Sequence, residues 1–529
     1  MSQVKATRRL ILKSSLAVGL GAASTAAATF AQANPQTQIP TTWDESTDIL
    51  IVGSGFAGLA GAPPPPTSFL IAVCAAWPAA AAAAREGSKV IILEKMPTIG
   101  GNSIIDAGDM CAVGTPQQKE KNVKDSPELL AADMMRNGLF LNDPKKVKFV
   151  SEHAHDNYEW LVNEIGVEFM PVVGFTGGHS VPRAVTAKNG SGSGIINPLA
   201  DYLAKQGIKP RIRNYVETIY RDDSGRVVGL KVREGYRFPK EGSGKVKNIQ
   251  ARKAVILYHG GFGADVKYRS LLDPKLTEIF LTTNQPSATA GMWREAARIG
   301  GMIIQADWIQ CTPWNNPLEK GTGNTWNFGQ YVAGEAGVWV NTLGKRFVNE
   351  NANRKIRADA ILVEQGKGLK AIAVANKAAS ASLEGRRPGF MEKSVKDGLI
   401  KEYPTLDALA ADWKMPPEAL KETVSQINTY FEEGKDPQFG RIVKGLKPMK
   451  EGPWYAMEMS PKVHHCMGGL ATTVDGKVLD VSTLEPIPGL YAAGEATGGT
   501  HGAVRMGTNA ILDCLVNGRA AGKAAATQN

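Results

Sequence analysis

Residues 48–58 read Asp48-Ile-Leu-Ile-Val-Gly-Ser-Gly-Phe-Ala-Gly58, and this stretch decides the fold class. The apolar run that ends at Val52 predicts a short buried strand. A G-x-G-x-x-G pattern follows at once and predicts a tight turn into a helix, where backbone N–H groups and the helix dipole bind a pyrophosphate. The sequence therefore predicts a dinucleotide-binding α/β fold. The residues of the turn expected to contact the dinucleotide are Gly53, Gly55, Ala57 and Gly58.

A second strand and an acid follow farther along the chain. Residues 90–93 read Val-Ile-Ile-Leu and predict a buried strand, and Glu94 comes directly after it. A carboxylate at this place suits the ribose hydroxyls of an adenosine half. Gly58 and Glu94 are 36 residues apart, whereas roughly 20 residues normally separate the turn from the acid.

The excess length lies in a stretch that breaks the pattern. Residues 61–84 carry no charge and contain Pro63-Pro-Pro-Pro66, which the interior of a helix does not tolerate. We interpret part of residues 61–80 as an insertion, or as an artefact of the deduced sequence. A membrane span fits the length, but it would split a strand–helix–strand unit, and Pro78 interrupts it. No stable membrane span is therefore expected.

The N-terminus has the pattern of an export signal. Residues 7–13 read Thr-Arg-Arg-Leu-Ile-Leu-Lys, residues 14–33 are uncharged, and Ala31-Gln-Ala33 offers small residues to a signal peptidase. Paired arginines before a hydrophobic residue resemble the twin-arginine type, which predicts a periplasmic protein that has lost residues 1–33. The alternatives are a disordered tail and a membrane anchor, but the apolar region is too weakly hydrophobic for a good anchor.

Composition excludes several classes of protein. Of the 529 residues, 43% are hydrophobic and 21% are charged, which excludes a disordered chain, a coiled coil and a collagen-like fibre. The 57 glycines, many in short loops beside apolar runs, favour a nucleotide-binding protein over a helix bundle. The net charge of +10 comes without a dense Lys/Arg run, so no nucleic acid partner is expected.

The five cysteines bear on the source of electrons. They are scattered, none forms C-x-x-C, and C-x-x-C-H is absent, so the chain binds no c-type haem covalently. An odd, scattered set also argues against a disulfide framework. Any electrons must therefore come from elsewhere, and no metal site is expected.

Several ordered motifs after Thr47 resemble those of one enzyme family. They are GGNS at 100–103, VILYHGGFG at 255–263, GKRFVNE at 344–350 with Arg354 after it, VHHCMGG at 463–469, and the stretch 489–511. Together they resemble the fumarate reductase flavoproteins of the soluble, periplasmic flavocytochrome c type, which include urocanate and other enoate reductases. The resemblance covers nearly the whole chain after Thr47, apart from the proline-rich stretch, and the chain is expected to lack the haem domain.

The resemblance implies a layout and a cofactor. It implies a Rossmann-like, glutathione-reductase-like FAD-binding domain from residues 43–307 and 464–529, with an inserted α+β capping domain at 308–463. The FAD is expected to be non-covalent, because the residues at 101–103 offer no histidine for attachment. Beyond the glycine turn, the residues implied to bind FAD are Glu94, Lys95, Asn102, Ser103, Gly108, Val216, His465, Glu495, Ala510 and Ile511.

The resemblance also implies roles at a substrate site for an unsaturated carboxylate. Arg354 stands at the position of the family's proton donor, although a salt-bridged surface arginine is the alternative. His464 and Arg505 match the residues that hold the carboxylate, and a guanidinium suits that task because it binds both oxygens. Thr312, Gln330 and Thr508 are further expected substrate contacts.

Three positions depart from the fumarate reductase pattern. Thr312 replaces a histidine that would hold one end of fumarate, and Gln330 and Ala333 occupy the places of an acid and an arginine that relay protons. Several aromatic residues lie near this segment, and they indicate either core packing or a pocket wall for a larger or less charged substrate.

Three hypotheses remain open at this point. The first is an exported FAD reductase of an unsaturated carboxylate, supplied with electrons by a separate cytochrome c-type donor. The second is an FAD dehydrogenase of a ring or steroid ketone, for which Tyr331 is the only nearby tyrosine candidate. The third is a non-catalytic flavin or electron carrier.

Overall fold

The computed structural model describes residues 38–54, 76–334 and 336–528. Of the predicted features, the export signal, the turn residues Gly55, Ala57 and Gly58, and residues 61–75 of the proposed insertion lie outside the described residues. From Thr41 onward the chain forms one compact unit. The division into an FAD-binding and a capping domain stays a prediction.

The strands within the described residues form four sheets. They are β1 (Glu45–Val52), β2 (Val90–Leu93), β3 (Asp109–Cys111), β4 (Phe169–Gly174), β5 (Ala184–Ala187), β6 (Asn214–Arg221), β7 (Val227–Glu234), β8 (Lys245–Leu257), β9 (Ile303–Ile304), β10 (Ile309–Asn315), β11 (Val338–Asn341), β12 (Ala371–Asn376), β13 (Lys401–Tyr403), β14 (Trp454–Cys466), β15 (Gly469–Leu470), β16 (Lys477–Leu479) and β17 (Pro486–Ala492).

The helices are mostly short, and a few turns are irregular. The α-helices are α1 (Ala76–Arg85), α2 (Gly101–Ile104), α3 (Pro116–Glu120), α4 (Pro127–Asn137), α5 (Pro144–Glu152), α6 (Ala154–Trp160), α7 (Ser193–Ala204), α8 (Val266–Leu272), α9 (Gly291–Arg298), α10 (Arg354–Gly366), α11 (Lys377–Arg386), α12 (Phe390–Lys396), α13 (Leu406–Asp412), α14 (Pro417–Glu433) and α15 (Asn509–Thr527). Two π-helices span Leu161–Ile165 and Phe328–Ala333, and a 3₁₀ turn spans Gly494–Ala496.

The largest sheet confirms the predicted α/β class. Strands β2, β1, β8 and β17 lie side by side and parallel, and β16 adds an antiparallel edge, while β6 and β7 continue from the first half of β8. Parallel strands covered on both faces are continuously apolar, and Ile49–Leu50–Ile51 is fully buried accordingly. The carboxyl ends of β1 and β2 therefore meet at one edge, where ligands of open α/β sheets bind.

The second sheet lies wholly between residues 309 and 466. Its strands run in the order β10-β14-β12-β11, with β13 also paired to β14, and every pairing is antiparallel. Strand β12 is buried along its full length, and the sheet has a hydrophobic core of its own. The last residues of β14 are His464, His465 and Cys466, so this sheet ends at the residues expected to contact substrate and flavin.

Helix α1 changes the interpretation of the proline-rich stretch. Residues 76–80 were included in the proposed insertion, but they form the first half of α1, and Ala79 and Ala80 are fully buried. A Cβ at Gly522 of α15 would lie 2.1 Å from the carbonyl oxygen of Ala79, so the two helices pack with their backbones close together. This end of the stretch therefore belongs to the core. In the described part of the chain, no helix is both long and apolar enough to cross a bilayer.

Candidate active site

A first cavity lies at the carboxyl ends of β1 and β2 and has an empty volume of about 640 Å³. Four residues that were expected to bind the cofactor line it: Gly53, Glu94, Lys95 and Val216. Gly53 has a φ of +101°, and a Cβ there would lie 2.5 Å from the carbonyl oxygen of Tyr258. Any other residue at position 53 would push the backbone after β1 away from the backbone after β8, so only glycine fits here without a shift.

Two charged side chains in this cavity are held in place by hydrogen bonds. Glu94 accepts hydrogen bonds from the backbone N–H of Ser54 at 3.1 Å and of Met96 at 2.7 Å, and burial raises its pKa. Lys95 donates from Nζ to Thr289 Oγ1 at 3.0 Å, and burial lowers its pKa to about 8. Glu94 and Lys95 therefore give the first cavity polar groups in fixed positions, which suits the adenosine half of a dinucleotide.

A second and larger cavity, with an empty volume of about 1180 Å³, adjoins the first. Gly101 lines the first cavity and Asn102 lines the second, so consecutive residues of α2 connect the two. The predicted site residues that line the second cavity are Asn102, Thr312, Gln330, Arg354, His464, His465, Glu495, Arg505, Thr508, Ala510 and Ile511. Ser103 and Gly108 line neither cavity, and their role as cofactor contacts stays a prediction.

Arg354 is the first residue of α10. The side chain of Asn353 caps this helix by accepting a hydrogen bond from the N–H of Ile356 at 3.0 Å. The guanidinium of Arg354 lies 5.0 Å from the ring centroid of Trp314, and its Nη1 is buried without a hydrogen-bond partner among the described residues. Burial, followed by the charges of Arg505 and Arg357, lowers its pKa well below the usual range of an arginine.

Arg505 and His464 complete a polar wall beside Arg354. Arg505 is buried, and its Nε has no partner among the described residues. Its backbone is fixed because Gln310 Nε2 donates to the Arg505 carbonyl oxygen at 3.1 Å. His464 Nδ1 lies 2.7 Å from Thr283 Oγ1, and burial together with Arg354 and Arg505 lowers the pKa of its imidazole. Burial therefore favours the neutral form of this imidazole.

His465 and Glu495 form a separate pair on the side of the cavity expected to face the flavin. Nδ1 of His465 lies 3.4 Å from Glu495 Oε1, and its Nε2 is buried without a partner in the described part of the chain. Glu495 accepts a hydrogen bond from the N–H of Cys466 at 3.0 Å, and burial raises the pKa of Glu495 to about 7.

The positions that depart from the fumarate reductase pattern have their own partners. The hydroxyl of Thr312 donates to the Asn315 side chain and to the Lys462 carbonyl oxygen. Gln330 accepts a hydrogen bond from Arg357 Nη1 at 3.1 Å. Ala333 is fully buried in the core of the second sheet. Thr312 therefore presents no cation to a second carboxylate, and Gln330 presents no ionisable group.

The last helix begins at the cavity. Thr508 has a left-handed backbone with a φ of 64° and precedes α15, and its hydroxyl donates to the Gly507 carbonyl oxygen at 2.6 Å. Ala510 and Ile511, in the first turn of α15, line the cavity. The positive end of the helix dipole faces this region, and it suits negative charge on a reduced flavin.

Sequence patterns missed several residues of the cavity. Asp106 and Asp109 line it, and burial followed by the charge of Asp109 raises the pKa of Asp106 to about 6. Arg357, one turn after Arg354, lines it too. Tyr331, the tyrosine that the sequence offered for a ketone substrate, also lines the cavity, and its hydroxyl lies 3.3 Å from Asp109 Oδ2. The acids follow the GGNS motif closely, so their position near that loop was the available signal.

The residues present fit an FAD. Gly53 lets the turn after β1 lie close to the Tyr258 backbone beside the first cavity. In the second cavity, Nε2 of His465 is buried without a hydrogen-bond partner among the described residues. The two cavities meet at α2, as a ligand with an adenosine half and a flavin half requires. Among the described residues, no group of three His, Cys, Asp or Glu side chains is placed to hold a metal ion.

Comparison with known proteins agrees with this geometry. The family model of an FAD binding domain matches residues 74–511. The chain is 36% identical over 486 residues to the acrylate reductase flavoprotein subunit of Shewanella woodyi, with 91% of each chain covered. It is 36% identical to the fumarate reductase (cytochrome) of Shewanella frigidimarina and 33% identical to the urocanate reductase of Eggerthella lenta. These matches cover 91% and 92% of this chain and 77% and 76% of the relatives.

Solved structures show the same fold. The open conformation of a flavocytochrome c3 fumarate reductase superposes with a TM-score of 0.70 at 32% identity, covering 92% of this chain and 78% of that one. A 3-ketosteroid-Δ4-(5α)-dehydrogenase from Rhodococcus jostii RHA1 also gives a TM-score of 0.70, at 25% identity, covering 93% and 99%. The predicted Rossmann-like FAD-binding fold with a capping part is confirmed, and the chain belongs to the fumarate reductase flavoprotein family as an FAD-dependent oxidoreductase that acts on C=C bonds.

Proposed function

We propose that this protein reduces the C=C bond of an unsaturated carboxylate, with Arg505 and His464 holding the carboxylate and Arg354 donating the proton. One observation carries the proposal: Arg354 and Arg505 line the same cavity, and each has a buried guanidinium nitrogen without a hydrogen-bond partner among the described residues. Burial lowers the pKa of both arginines, and the charge of Arg505 lowers that of Arg354 further, so a negative charge beside them would stabilise both guanidiniums. A substrate carboxylate would supply that charge.

The chain's residues divide the remaining work. Gly53, Glu94, Lys95 and Val216 would hold the adenosine end of a non-covalent FAD, and His465, Ala510 and Ile511 would face its flavin end. Bound FAD supplies, in its reduced form, the hydride for one carbon of the double bond. Arg354 would give a proton to the neighbouring carbon, and its lowered pKa favours that transfer. The buried walls exclude water from the reacting atoms.

Substrate, electron source and location are parts of the same proposal. Relatives named acrylate, fumarate and urocanate reductase define a set of enoates to try. Thr312 carries no charge, which favours a substrate larger or less charged than fumarate. Export to the periplasm by the twin-arginine signal and a separate cytochrome c-type electron donor complete the proposal.

Anaerobic reoxidation of the dithionite-reduced protein tests this function. Fumarate, acrylate, methacrylate, urocanate and cinnamate are added in turn, and the return of flavin absorbance is followed with product analysis. We expect at least one enoate to reoxidise the flavin with formation of the saturated acid. Reduced protein that none of these acids reoxidises would contradict the proposal and favour a non-catalytic electron carrier.

One observation favours a second candidate function. The similarity to a 3-ketosteroid dehydrogenase covers 99% of that structure, and Tyr331 lines the cavity beside Asp109. A ring ketone would use a tyrosine hydroxyl to polarise its carbonyl group. Oxidation of saturated steroid ketones by the oxidised protein, without turnover of any enoate, would select this alternative.

A further inference from the structure

The π-helix Phe328–Ala333 contains the clearest departure from the fumarate reductase pattern. Gln330 and Ala333 stand where that pattern has an acid and an arginine that relay protons. An amide hydrogen-bonds but does not ionise, and Ala333 is fully buried with an apolar side chain. These two positions therefore supply Arg354 with neither a proton nor a charge.

A guanidinium from a different element contacts Gln330 instead. Arg357 of α10 donates from Nη1 to Gln330 Oε1 at 3.1 Å and to the Glu350 carbonyl oxygen at 2.9 Å. Its guanidinium lies 4.4 Å from the ring centroid of Trp314 and 5.6 Å from that of Trp339. Arg357 is 2% exposed, so these contacts hold its charge inside the protein.

Trp314 links Arg357 to the expected proton donor. The guanidinium of Arg354 lies 5.0 Å from the same ring centroid, so two cations lie over one indole. The ring attracts each cation, and this attraction fixes both side chains. The two like charges repel one another in a buried place, and this repulsion disfavours the protonated form of Arg354.

We propose that Arg357, which is itself held by Gln330, is a positioning residue for this reaction: it takes the place of the arginine missing at position 333 and, through Trp314, holds Arg354 ready to release its proton. The inference rests on the proposed function, because it assigns Arg357 a role only if Arg354 is the donor. Besides Arg357, the charged or titratable groups that face Arg354 are Arg505, Asp106, Tyr331, His464 and His465.

The geometry also predicts how the relay could be restored. Glutamine and glutamate have nearly the same shape, and Arg357 Nη1 already lies 3.1 Å from the side-chain oxygen of Gln330. Gln330→Glu alone should therefore place a carboxylate beside Arg357 and supply an ionisable group near Arg354. Ala333→Arg is unnecessary and would force a long charged side chain into a filled core.

The test compares variants of the full-length, FAD-loaded protein on α10. Arg357→Met removes the buried charge, Arg357→Lys keeps it, and Lys355→Met is the matched control, since Lys355 is exposed and pairs only with Asp359 at 2.6 Å among the contacts described. FAD content and thermal unfolding show whether each variant is folded. Rates of enoate-driven reoxidation are then measured from pH 5 to about 10, a range wide enough to reach a shifted donor pKa.

We expect Arg357→Met to slow reoxidation by about 10-fold or more, a part of the roughly 10²–10⁴-fold that general acid catalysis contributes. Loss of the neighbouring charge raises the pKa of Arg354, so the alkaline fall of the rate should move to higher pH. Arg357→Lys should restore part of the rate and the pH profile. Lys355→Met should match the wild type in both.

Gln330→Glu keeps the proposal testable if Arg357→Met does not fold. We expect Gln330→Glu to raise the reoxidation rate severalfold and to add an acidic limb to the pH profile. The double variant Gln330→Glu/Arg357→Met should lose this gain in rate, whereas Gln330→Glu/Arg357→Lys should keep part of it. The inference alone is overturned if the wild type is active but a folded Arg357→Met variant has the same rate and pH profile as Lys355→Met. It is also overturned if Gln330→Glu leaves the rate and the pH profile of an active protein unchanged. A wild type that no enoate reoxidises overturns the proposed function and this inference together.

Discussion

At the scale of single residues, the chemistry of this protein depends on what burial does to charge. Arg354, His464 and Arg505 line one cavity, and burial is the first cause of the lowered pKa of each. In water an arginine stays protonated at any ordinary pH. Burial and a neighbouring guanidinium both disfavour its protonated form.

Replacement of the donor is the most direct test at this scale. Arg354→Ala should leave FAD bound and reducible, because Arg354 has no hydrogen bond to any described residue of the first cavity. Enoate-driven reoxidation should fall by roughly 10²–10⁴-fold. Arg354→Lys should restore part of it, because an ammonium loses a proton more readily than a guanidinium. Near-native turnover in Arg354→Ala on every accepted substrate would place the proton donor elsewhere.

The carboxylate clamp should behave differently from the donor. Arg505 acts on the substrate in the ground state and in the transition state alike, so Arg505→Ala should raise KM strongly as well as lower kcat. Steady-state kinetics with a chemical reductant separates the two parameters. An unchanged KM would mean that the carboxylate is held by another group.

Asp106 should make stability depend on pH. Burial raises its folded pKa to about 6 from an ordinary value of 3.8. Its contribution to stability is therefore fully present below pH 3.8 and is lost as pH rises through about 6. The free energy of unfolding of the wild type minus that of Asp106→Asn, measured by denaturant unfolding at several pH values, should fall between those two pH values. A flat difference would mean that Asp106 is ionised in the folded protein.

At the scale of elements, the ends of strands and helices determine where the ligands bind. Strands β1 and β2 end at the first cavity, β14 ends at His464 and His465, and helices α10 and α15 begin at the second cavity. These elements belong to parts of the chain hundreds of residues apart, and the sheets bring their ends together.

The turn after β1 offers a matched pair of glycine substitutions. Gly53 and Gly87 both have positive φ, so alanine is strained at either one. A Cβ at Gly53 meets the Tyr258 carbonyl oxygen at 2.5 Å, whereas a Cβ at Gly87 meets nothing within 4 Å. We expect Gly53→Ala to weaken FAD binding strongly and Gly87→Ala to lose only some thermal stability. Fluorescence titration of FAD into apoprotein measures the difference, and equal Kd values would show that contact at Gly53 is unimportant.

At the scale of the whole molecule, the fold joins two cavities into a site that one FAD and one small acid can share. The large sheet contributes the first cavity, and the end of the second sheet reaches the second cavity. The match to the fumarate reductase (cytochrome) of Shewanella frigidimarina covers 77% of that protein.

Export is a prediction about the whole molecule, since a twin-arginine signal carries folded, cofactor-loaded protein. Arg8→Lys/Arg9→Lys should keep the protein in the cytoplasm with residues 1–33 still attached. Fractionation and N-terminal sequencing measure location and cleavage. Cleavage after Ala33 and periplasmic arrival of the doubly substituted protein would contradict the twin-arginine interpretation.

The fold class, the FAD cofactor and most residues that line the second cavity could be predicted from the amino-acid sequence. A strand followed by spaced glycines specifies local backbone geometry, and such local patterns are visible without the fold. The same holds for His464, His465 and Arg505, which lie in recognisable motifs. All three line the cavity, although their roles stay predictions.

The contacts that surround these residues become visible only in the folded chain. No pattern in the sequence shows that Arg357 contacts Gln330, that one indole lies under two guanidiniums, or that Asp106 and Asp109 share the cavity with Arg354. Nor does any pattern show that residues 76–80 form the first half of α1, with the backbone of Ala79 close to Gly522. Such contacts join distant parts of the chain, and burial sets their charges, so packing decides them rather than local sequence.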